Sequence, residues 1–173
     1  MAEPAGVTVD VYVQDITVQD DSDRGPGKGE FDVTFVAAAT PVRAETGRSG
    51  VRWTSSVSEG QAYEVGRWTG PITLSAAHSL YVQGAGEALD RVRNDALQGG
   101  VALFSAAQEW GTGRWWRTTN GSHFDFQFYV VRIEAGESGD LSDVPALAGG
   151  SADAPGPAQP TEAEYAAAFG APL

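Results

Sequence analysis

The sequence predicts an all-β protein: an eight-stranded antiparallel β-sandwich followed by a disordered or extended C-terminal tail. Short apolar segments recur through the first 133 residues, and turn-forming Gly, Pro, Asn and Asp separate them. The chain contains 22 Gly, five Trp, five Tyr and seven Phe, a composition typical of strands joined by many turns. Sustained helical periodicity is nearly absent from this part of the sequence. A closed β-barrel is the alternative architecture.

The first strand is predicted at residues 7–18, where valines up to Val13 alternate with polar residues. The apolar positions resume at Ile16 on the opposite parity, so we expect a β-bulge near Gln14–Asp15. Residues 84–99 are predicted to form a loop, with a short helix at 87–97 as the alternative. The other seven strands are predicted at residues 31–37, 51–57, 62–68, 72–74, 80–82, 100–106 and 124–133.

Composition divides the chain into three segments: a β-domain at residues 1–136, a flexible acidic linker rich in Gly, Ala and Pro at 137–160, and a short helix or docking peptide at 161–173. In the last segment, Thr161 and Glu164 form a capping-box pattern. Tyr165 and Phe169 are four residues apart and would share one helix face. Because a helix this short is marginal by itself, we expect both rings to dock on the β-domain or on a protein partner.

The net charge of −12 excludes a direct role in binding DNA or RNA backbones and argues against binding to anionic membrane surfaces. All 11 Lys and Arg lie at or before Arg132, whereas six acids and no base occur from Glu137 onward. The chain has no Cys, which excludes disulfides, thiolate zinc sites and cysteine nucleophiles.

The N-terminal residues lack the basic and apolar regions of a signal peptide, and no apolar segment approaches the roughly 18 residues of a membrane span. We therefore expect a cytoplasmic protein or part of a released assembly. The excess of Ala, Gly, Arg and Asp over Lys, Ile and Asn indicates a high-GC bacterial source.

The first of two acidic stretches places Asp20, Asp21 and Asp23 before a glycine-rich turn, and Glu30 opens the next strand. Clustered carboxylate oxygens on a loop are the hard ligands that Ca²⁺ selects. The spacing excludes an EF-hand, because Pro26 stands where that loop, counted from Asp21, requires a glycine. A solvated surface turn is the alternative.

The second acidic stretch resembles the third calcium loop of C2 domains, in which a strand leads into spaced acids, an Asn-Asp pair, an apolar pair and a glycine. The residues that match this pattern are Glu87, Asp90, Asn94-Asp95, Ala96-Leu97 and Gly99. The first stretch resembles the first C2 loop, an Asp-rich turn between two strands. The resemblance covers residues 7–133 in outline, without the polybasic strand that binds phosphoinositides.

The resemblance implies a C2-like sandwich whose two acidic stretches meet at one end and bind Ca²⁺. The implied ligands come from both stretches: Asp20, Asp21, Asp23, Glu30, Glu87, Asp90, Asn94 and Asp95. In the alternative, Arg91 and Arg93 pair with Asp20 or Asp21 and form a salt-bridged end that holds no metal.

The segment 110–120 is aromatic, basic and rich in glycine. Neighbouring residues on a strand point to opposite faces, so at least one of Trp115 and Trp116 would face outward or be covered by the tail. An outward ring could contact a protein partner or stack on a sugar. Alternatively, both rings fill the space between the sheets.

These patterns predict a non-catalytic domain that binds Ca²⁺ and mediates protein–protein interaction, as a component of a larger bacterial or phage assembly. One alternative is a carbohydrate-binding module that uses Trp115 or Trp116. Another is a hydrolase in which Glu87 and Asp90 act as acid and base. The two histidines, His78 and His123, show no metal-ligand spacing, and no Ser-His-Asp pattern is recognisable.

Overall fold

The computed structural model describes residues 6–20, 29–40, 47–89 and 95–145. This part of the chain is mostly β, and its nine strands form one mixed sheet that curls almost into a barrel. The strands are β1 (Val7–Val18), β2 (Gly29–Thr40), β3 (Arg48–Val57), β4 (Ala62–Trp68), β5 (Ile72–Leu74), β6 (Ser79–Ala88), β7 (Asp95–Phe104), β8 (Trp115–Arg117) and β9 (Phe124–Ile133). Two short 3₁₀ segments lie at Ala106–Gly111 and Leu141–Asp143. None of the helical segments within these ranges is long and apolar enough to cross a membrane.

The strand order along the sheet is β3-β2-β6-β7-β9-β1-β4, with β5 paired to β1 and β8 paired to β9. The β7–β9 pair is parallel and joins at one position, Gly99 opposite Phe124. All other pairings of the described strands are antiparallel. The sheet therefore consists of two antiparallel groups connected by a single parallel bridge, which we call the seam.

The seam depends on a glycine and on one asparagine. A side-chain carbon at Gly99 would lie 2.3 Å from the Phe124 ring, so the two backbones approach this closely only with glycine at that position. Next to it, Val101 N–H donates to Asn120 Oδ1 (2.8 Å), and Asn120 Nδ2 donates to the Val101 carbonyl (3.1 Å). One side chain thus holds the loop before β9 against β7.

The strand prediction is correct in outline and wrong in three particulars. The sheet has nine described strands rather than eight, because β8 was not expected, and it contains a parallel pair. Most of the loop predicted at 84–99 is strand, since β6 continues to Ala88 and β7 begins at Asp95. The helix alternative at 87–97 is wrong for the same reason. The bulge is confirmed, because the register of β1 shifts between Val13 and Asp15 against both β4 and β9.

A single apolar core fills the inside of the curled sheet. Six phenylalanines are essentially inaccessible to solvent, and rings such as Phe35 and Phe126 meet edge to face with centroids 5.2 Å apart. Complete burial of one such side chain stabilises the fold by roughly 1.5–3 kcal/mol. These six side chains are Phe31, Phe35, Phe104, Phe124, Phe126 and Phe128.

Four connections meet at one end of the sheet, which we call the loop end: β1–β2, β3–β4, β6–β7 and β8–β9. The Val18 amide donates to the Gln61 carbonyl (2.9 Å) and ties β1 to the β3–β4 turn. The Gln19 amide donates to the His123 carbonyl (2.8 Å) and ties the chain after β1 to the β8–β9 loop. Both acidic stretches of the sequence begin and end here.

Candidate functional site

The described ends of the two acidic stretches are neighbours in the sheet. The first stretch leads into β2 and the second leaves β6, and these strands pair with Asp32 opposite Glu87. Beyond the last pair, the Leu89 amide donates to the Glu30 carbonyl (2.8 Å). The second stretch returns through β7, where Asp95 lies opposite Ala88. The sheet topology thus brings the described ends of both stretches to the loop end.

Four of the eight predicted calcium ligands lie within the described residues. Glu30 and Glu87 are exposed and point outward from neighbouring strands, while Asp95 begins β7. Asp20 follows β1, and its amide donates to the His123 carbonyl (3.1 Å). Asp20, Glu87 and Asp95 each already take part in an interaction. No three His, Asp or Glu side chains in the described ranges are grouped to hold a metal ion. The remaining predicted ligands lie outside those ranges: Asp21, Asp23, Asp90 and Asn94.

The carboxyl group of Asp32, which the sequence did not single out, is already paired. Arg52 Nε and Nη2 each donate to it at 2.7 Å. The hydrogen bonds and charge of Arg52 hold the pKa of Asp32 below its usual range. Because 69% of the Arg52 side chain is exposed, this pair adds little stability, but it offsets the charge of Asp32 beside Glu87.

The two tryptophans of β8 point to opposite faces, as the alternation of a strand requires. Trp116 lies against the core, with its ring centroid 4.9 Å from that of Phe104, and its Nε1 donates to the Gly111 carbonyl (2.8 Å). Trp115 points to the outer face of the sheet and lies opposite Tyr129 of β9. Interior packing is therefore correct for Trp116, and the outward orientation is correct for Trp115.

Trp115 is one end of a line of four rings across the outer face, which we call the aromatic row. One ring comes from each of β8, β9, β1 and β4, at paired register positions: Trp115, Tyr129, Tyr12 and Trp68. Ring centroids are 5.3 Å apart for Trp115 and Tyr129, and 5.1 Å apart for Tyr12 and Trp68. Spacings of this size are typical of attractive aromatic contacts.

Residues 138–145, which we call the strap, cross the aromatic row. At one end, Gly139 packs against the Trp68 ring and its amide donates to Asp10 Oδ2 (3.0 Å). At the other end, Trp115 Nε1 donates to the Pro145 carbonyl (3.2 Å). Asp140 caps the 3₁₀ turn between them by accepting from the Ser142 amide (2.9 Å). The strap belongs to the predicted 137–160 linker, whose later residues lie outside the described ranges, as do Tyr165 and Phe169.

Asp10 is the buried anchor of the strap. The residue is 1% exposed, and its carboxylate accepts hydrogen bonds from the backbone amides of Val11 (2.9 Å), Gly70 (3.0 Å) and Gly139 (3.0 Å). Burial raises the pKa of the Asp10 carboxyl, and the three amides oppose that rise. The alternating pattern of β1 indicates an outward polar side chain at this position, and it gives no sign that another segment covers it.

Two further carboxyl groups are enclosed nearer the loop end. Asp125 accepts from Thr118 Oγ1 (3.0 Å), from the Gly121 amide (2.9 Å) and from Gln19 Nε2. Asp15, next to the bulge, accepts from Gln127 Nε2 (2.6 Å), while its Oδ1 is buried without a hydrogen bond. Burial raises the pKa of both carboxyls, and the charge of Arg117 partly lowers them.

No protein-family model and no curated protein matches the chain. Among solved structures it is similar to human GIVD cytosolic phospholipase A2 in complex with methyl γ-linolenyl fluorophosphonate and terbium chloride, with a TM-score of 0.49, 9% identity, and coverage of 79% of this chain and 18% of that one. A second structure of that human enzyme with the same inhibitor gives a TM-score of 0.48 at 9% identity and the same coverage. The chain spans less than a fifth of those chains, and this similarity identifies no family.

Proposed function

We propose that this protein is a non-catalytic, C2-like domain that binds Ca²⁺ between its two acidic stretches and mediates protein–protein contacts. The observation that carries the proposal is the hydrogen bond from the Leu89 amide to the Glu30 carbonyl, which joins the two stretches at their bases. Oxygen ligands from two adjacent loops suit Ca²⁺, which takes six to eight of them in flexible geometry.

The organisation of the sheet also supports a C2-like fold. Apart from the seam, the described strands form two antiparallel groups, β3-β2-β6-β7 and β9-β1-β4, that enclose one core. Treated as two layers, these groups would form a sandwich of the kind that the C2 resemblance implies. In such a sandwich the loop end is a rim with adjacent connections from both layers.

Charge supplies a physical reason for a cation. Asp20, Asp21 and Asp23 occupy three of four consecutive positions in a chain of net charge −12, and they repel one another unless a cation or solvent screens them. A bound Ca²⁺ would neutralise them and order both loops. Arg91 and Arg93 of the second stretch are the competing source of positive charge within the chain.

The test is thermal unfolding of the full chain in about 2 mM Ca²⁺ and in excess EGTA. A ligand at about 100 times its Kd adds roughly 2.7 kcal/mol, and each kcal/mol shifts the Tm of a chain this size by about 2–4 °C. We expect Ca²⁺ to raise the Tm by several degrees, and the double variant Asp21→Ala/Asp90→Ala to abolish the rise.

The matched control is Asp140→Ala/Asp143→Ala, which removes the same charge from the strap. This variant should keep the full Ca²⁺ response. NaCl of equal ionic strength replaces Ca²⁺ in a second control. An equal rise with NaCl, or a rise that survives Asp21→Ala/Asp90→Ala, would refute a calcium site shared by the two stretches.

The alternatives have less support. A carbohydrate-binding module that uses Trp116 would need that ring to be accessible, yet it packs on Phe104. One that uses Trp115 would bind a ring whose indole N–H already donates to the strap. For a hydrolase, Glu87 is exposed on β6 and Asp90 lies outside the described residues.

Tyr165 and Phe169 remain the proposed contacts to a protein partner, and the larger bacterial or phage assembly remains the proposed setting.

A further inference from the structure

We propose that two copies of this chain exchange their straps, so that residues 138–145 of each copy dock on the aromatic row of the other. The inference concerns the outer face of the sheet and is independent of Ca²⁺ binding at the loop end. The proposed partner is a second copy of this chain. The strap occupies the aromatic row in this structure, and a second copy carries an identical strap.

The hydrogen bonds described between strap and sheet lie near the strap's two ends, while Asp143 between them lines a shallow cavity with Tyr129 and Arg132 of β9. One end has the Gly139 amide bound to Asp10 Oδ2 (3.0 Å) and Gly139 packed on Trp68. The other end has Trp115 Nε1 bound to the Pro145 carbonyl (3.2 Å). Between them, Leu141 is an exposed large apolar side chain. A mostly exposed segment anchored by two hydrogen bonds can detach without disturbing the core beneath it.

The connection between β9 and the strap has the properties of a hinge. Residues 134–138 are all exposed, and they form a tight turn in which the Glu137 amide donates to the Glu134 carbonyl (3.0 Å). The turn contains Gly136 at φ +90°, in a region that favours glycine. Opening the turn extends the chain and allows the strap to reach another molecule.

Exchange conserves the contacts that closure makes. In the exchanged dimer, each Asp10 would accept from the partner's strap and each Trp115 would donate to it. The closed monomer and the dimer then differ chiefly in the conformation of the hinge and in the entropy of association. This makes exchange of an identical element a low-cost route to dimers.

The test uses a variant that strains the hinge and leaves the contacts between the strap and the sheet unchanged. In the full-length variant Gly136→Ala, the added carbon has no neighbour within 4 Å, so its effect is confined to the positive φ. Extending the hinge relieves that strain in both copies, so we expect the dimer dissociation constant to fall roughly tenfold or more. Light scattering coupled to size-exclusion chromatography measures it, at about 0.3 M NaCl to screen repulsion between the acidic chains.

The matched control is Gly60→Ala in the β3–β4 turn, where φ is +79° and the space around the added carbon is equally open. This variant should leave the dissociation constant at the wild-type value. The proposal is overturned if Gly136→Ala stays monomeric at about 1 mM, or if Gly60→Ala dimerises as strongly, since strain in any turn would then suffice.

A second variant separates exchange from ordinary side-by-side association. Trp115→Phe retains a ring but removes the bond to Pro145, which is present in the closed monomer and in the exchanged dimer alike. In the Gly136→Ala background it should speed dissociation of the dimer several-fold while leaving the dissociation constant almost unchanged. An unchanged dissociation rate would show that the straps stay in place and would overturn the proposal.

Discussion

Asp10, Asp15 and Asp125 all project from the outer face of the sheet, yet each is enclosed by a different part of the chain. The strap covers Asp10, the loop before β9 covers Asp125, and Gln127 covers one oxygen of Asp15. Asp32 also points outward, but it meets an exposed arginine. Enclosure raises the pKa of the first three carboxyls, whereas the arginine lowers that of Asp32.

These opposite shifts predict an unusual dependence of stability on pH. A carboxyl whose pKa is raised by burial binds its proton more tightly in the folded state than in the unfolded state. Its contribution to the unfolding free energy therefore rises as the pH falls through the raised pKa, and it levels off below the ordinary value of 3.8. Asp32 works in the other direction, because its contribution is lost as the pH falls through its lowered pKa.

Asp15→Asn tests the first of these effects, because it removes the ionisable group and keeps an acceptor for Gln127. We expect the wild type to gain stability between neutral pH and mildly acidic pH, and the variant to gain less. Urea unfolding at a series of pH values measures the difference. Asp140→Asn on the exposed strap is the control and should retain the wild-type increase. Identical profiles for wild type and Asp15→Asn would contradict the prediction.

At the scale of elements, the most predictable strands are those whose inward face is apolar and whose outward face is polar. In β1 even the bulge is predictable from the sequence, because the apolar residues change from odd to even positions between Val13 and Ile16. Strands β6 and β7 are longer than predicted, and their residues within 84–99 are predicted as loop because glycines interrupt the alternating pattern there. These glycines admit the backbones and rings of neighbouring strands, and their role depends on contacts distant in sequence.

The candidate site was less predictable than the strands. Adjacency of the two acidic stretches depends on which strands pair, and spacing in the sequence does not determine pairing. The sequence left covering of Trp115 by the tail open, but the contacts that dock the strap were not foreseeable from side-chain patterns, because they use the amide of Gly139 and the carbonyl of Pro145. Every residue except proline offers such an amide, and every residue offers such a carbonyl. The enclosure of Asp125 was not predicted either, because its partners are the remote Gln19, the Thr118 hydroxyl and a backbone amide. The opposite orientations of Trp115 and Trp116 were predicted, although β8 was not among the eight predicted strands.

The seam between the two strand groups allows a test at the element scale. Asn120→Ala removes both hydrogen bonds to the backbone of Val101 and should lower the unfolding free energy by about 2 kcal/mol. Asn120→Asp keeps the acceptor but sets a carboxylate oxygen against the Val101 carbonyl, so it should cost at least as much as Asn120→Ala. Urea unfolding measures these losses, and hydrogen exchange should show faster exchange of the Val101 amide in Asn120→Ala. Unchanged protection of that amide would mean that the side chain does not stabilise the seam.

At the scale of the whole molecule, the dominant quantity is the net charge of −12. Self-repulsion opposes the compact state, and salt screens it with a Debye length of about 10 Å at 0.1 M. We expect the Tm to rise by several degrees between about 10 and 300 mM NaCl at pH 7. At the isoelectric point near pH 4.4 the same salt should have little effect. An equal rise at both pH values would indicate a general effect of salt on solvation rather than screening.

The pairing of β1 with β9 has a consequence for how the protein is made. Strand β1 leaves the ribosome before the other described strands, yet it lies between β4 and β9, which is the last of them in the chain. Contacts this distant in sequence form slowly, because a long segment must be ordered before they gain stability. Until Ile133 has emerged, the valines of β1 lack the strand that pairs along one of its edges. We therefore expect the nascent chain to expose apolar strands until then, and the yield of folded protein to depend on their protection.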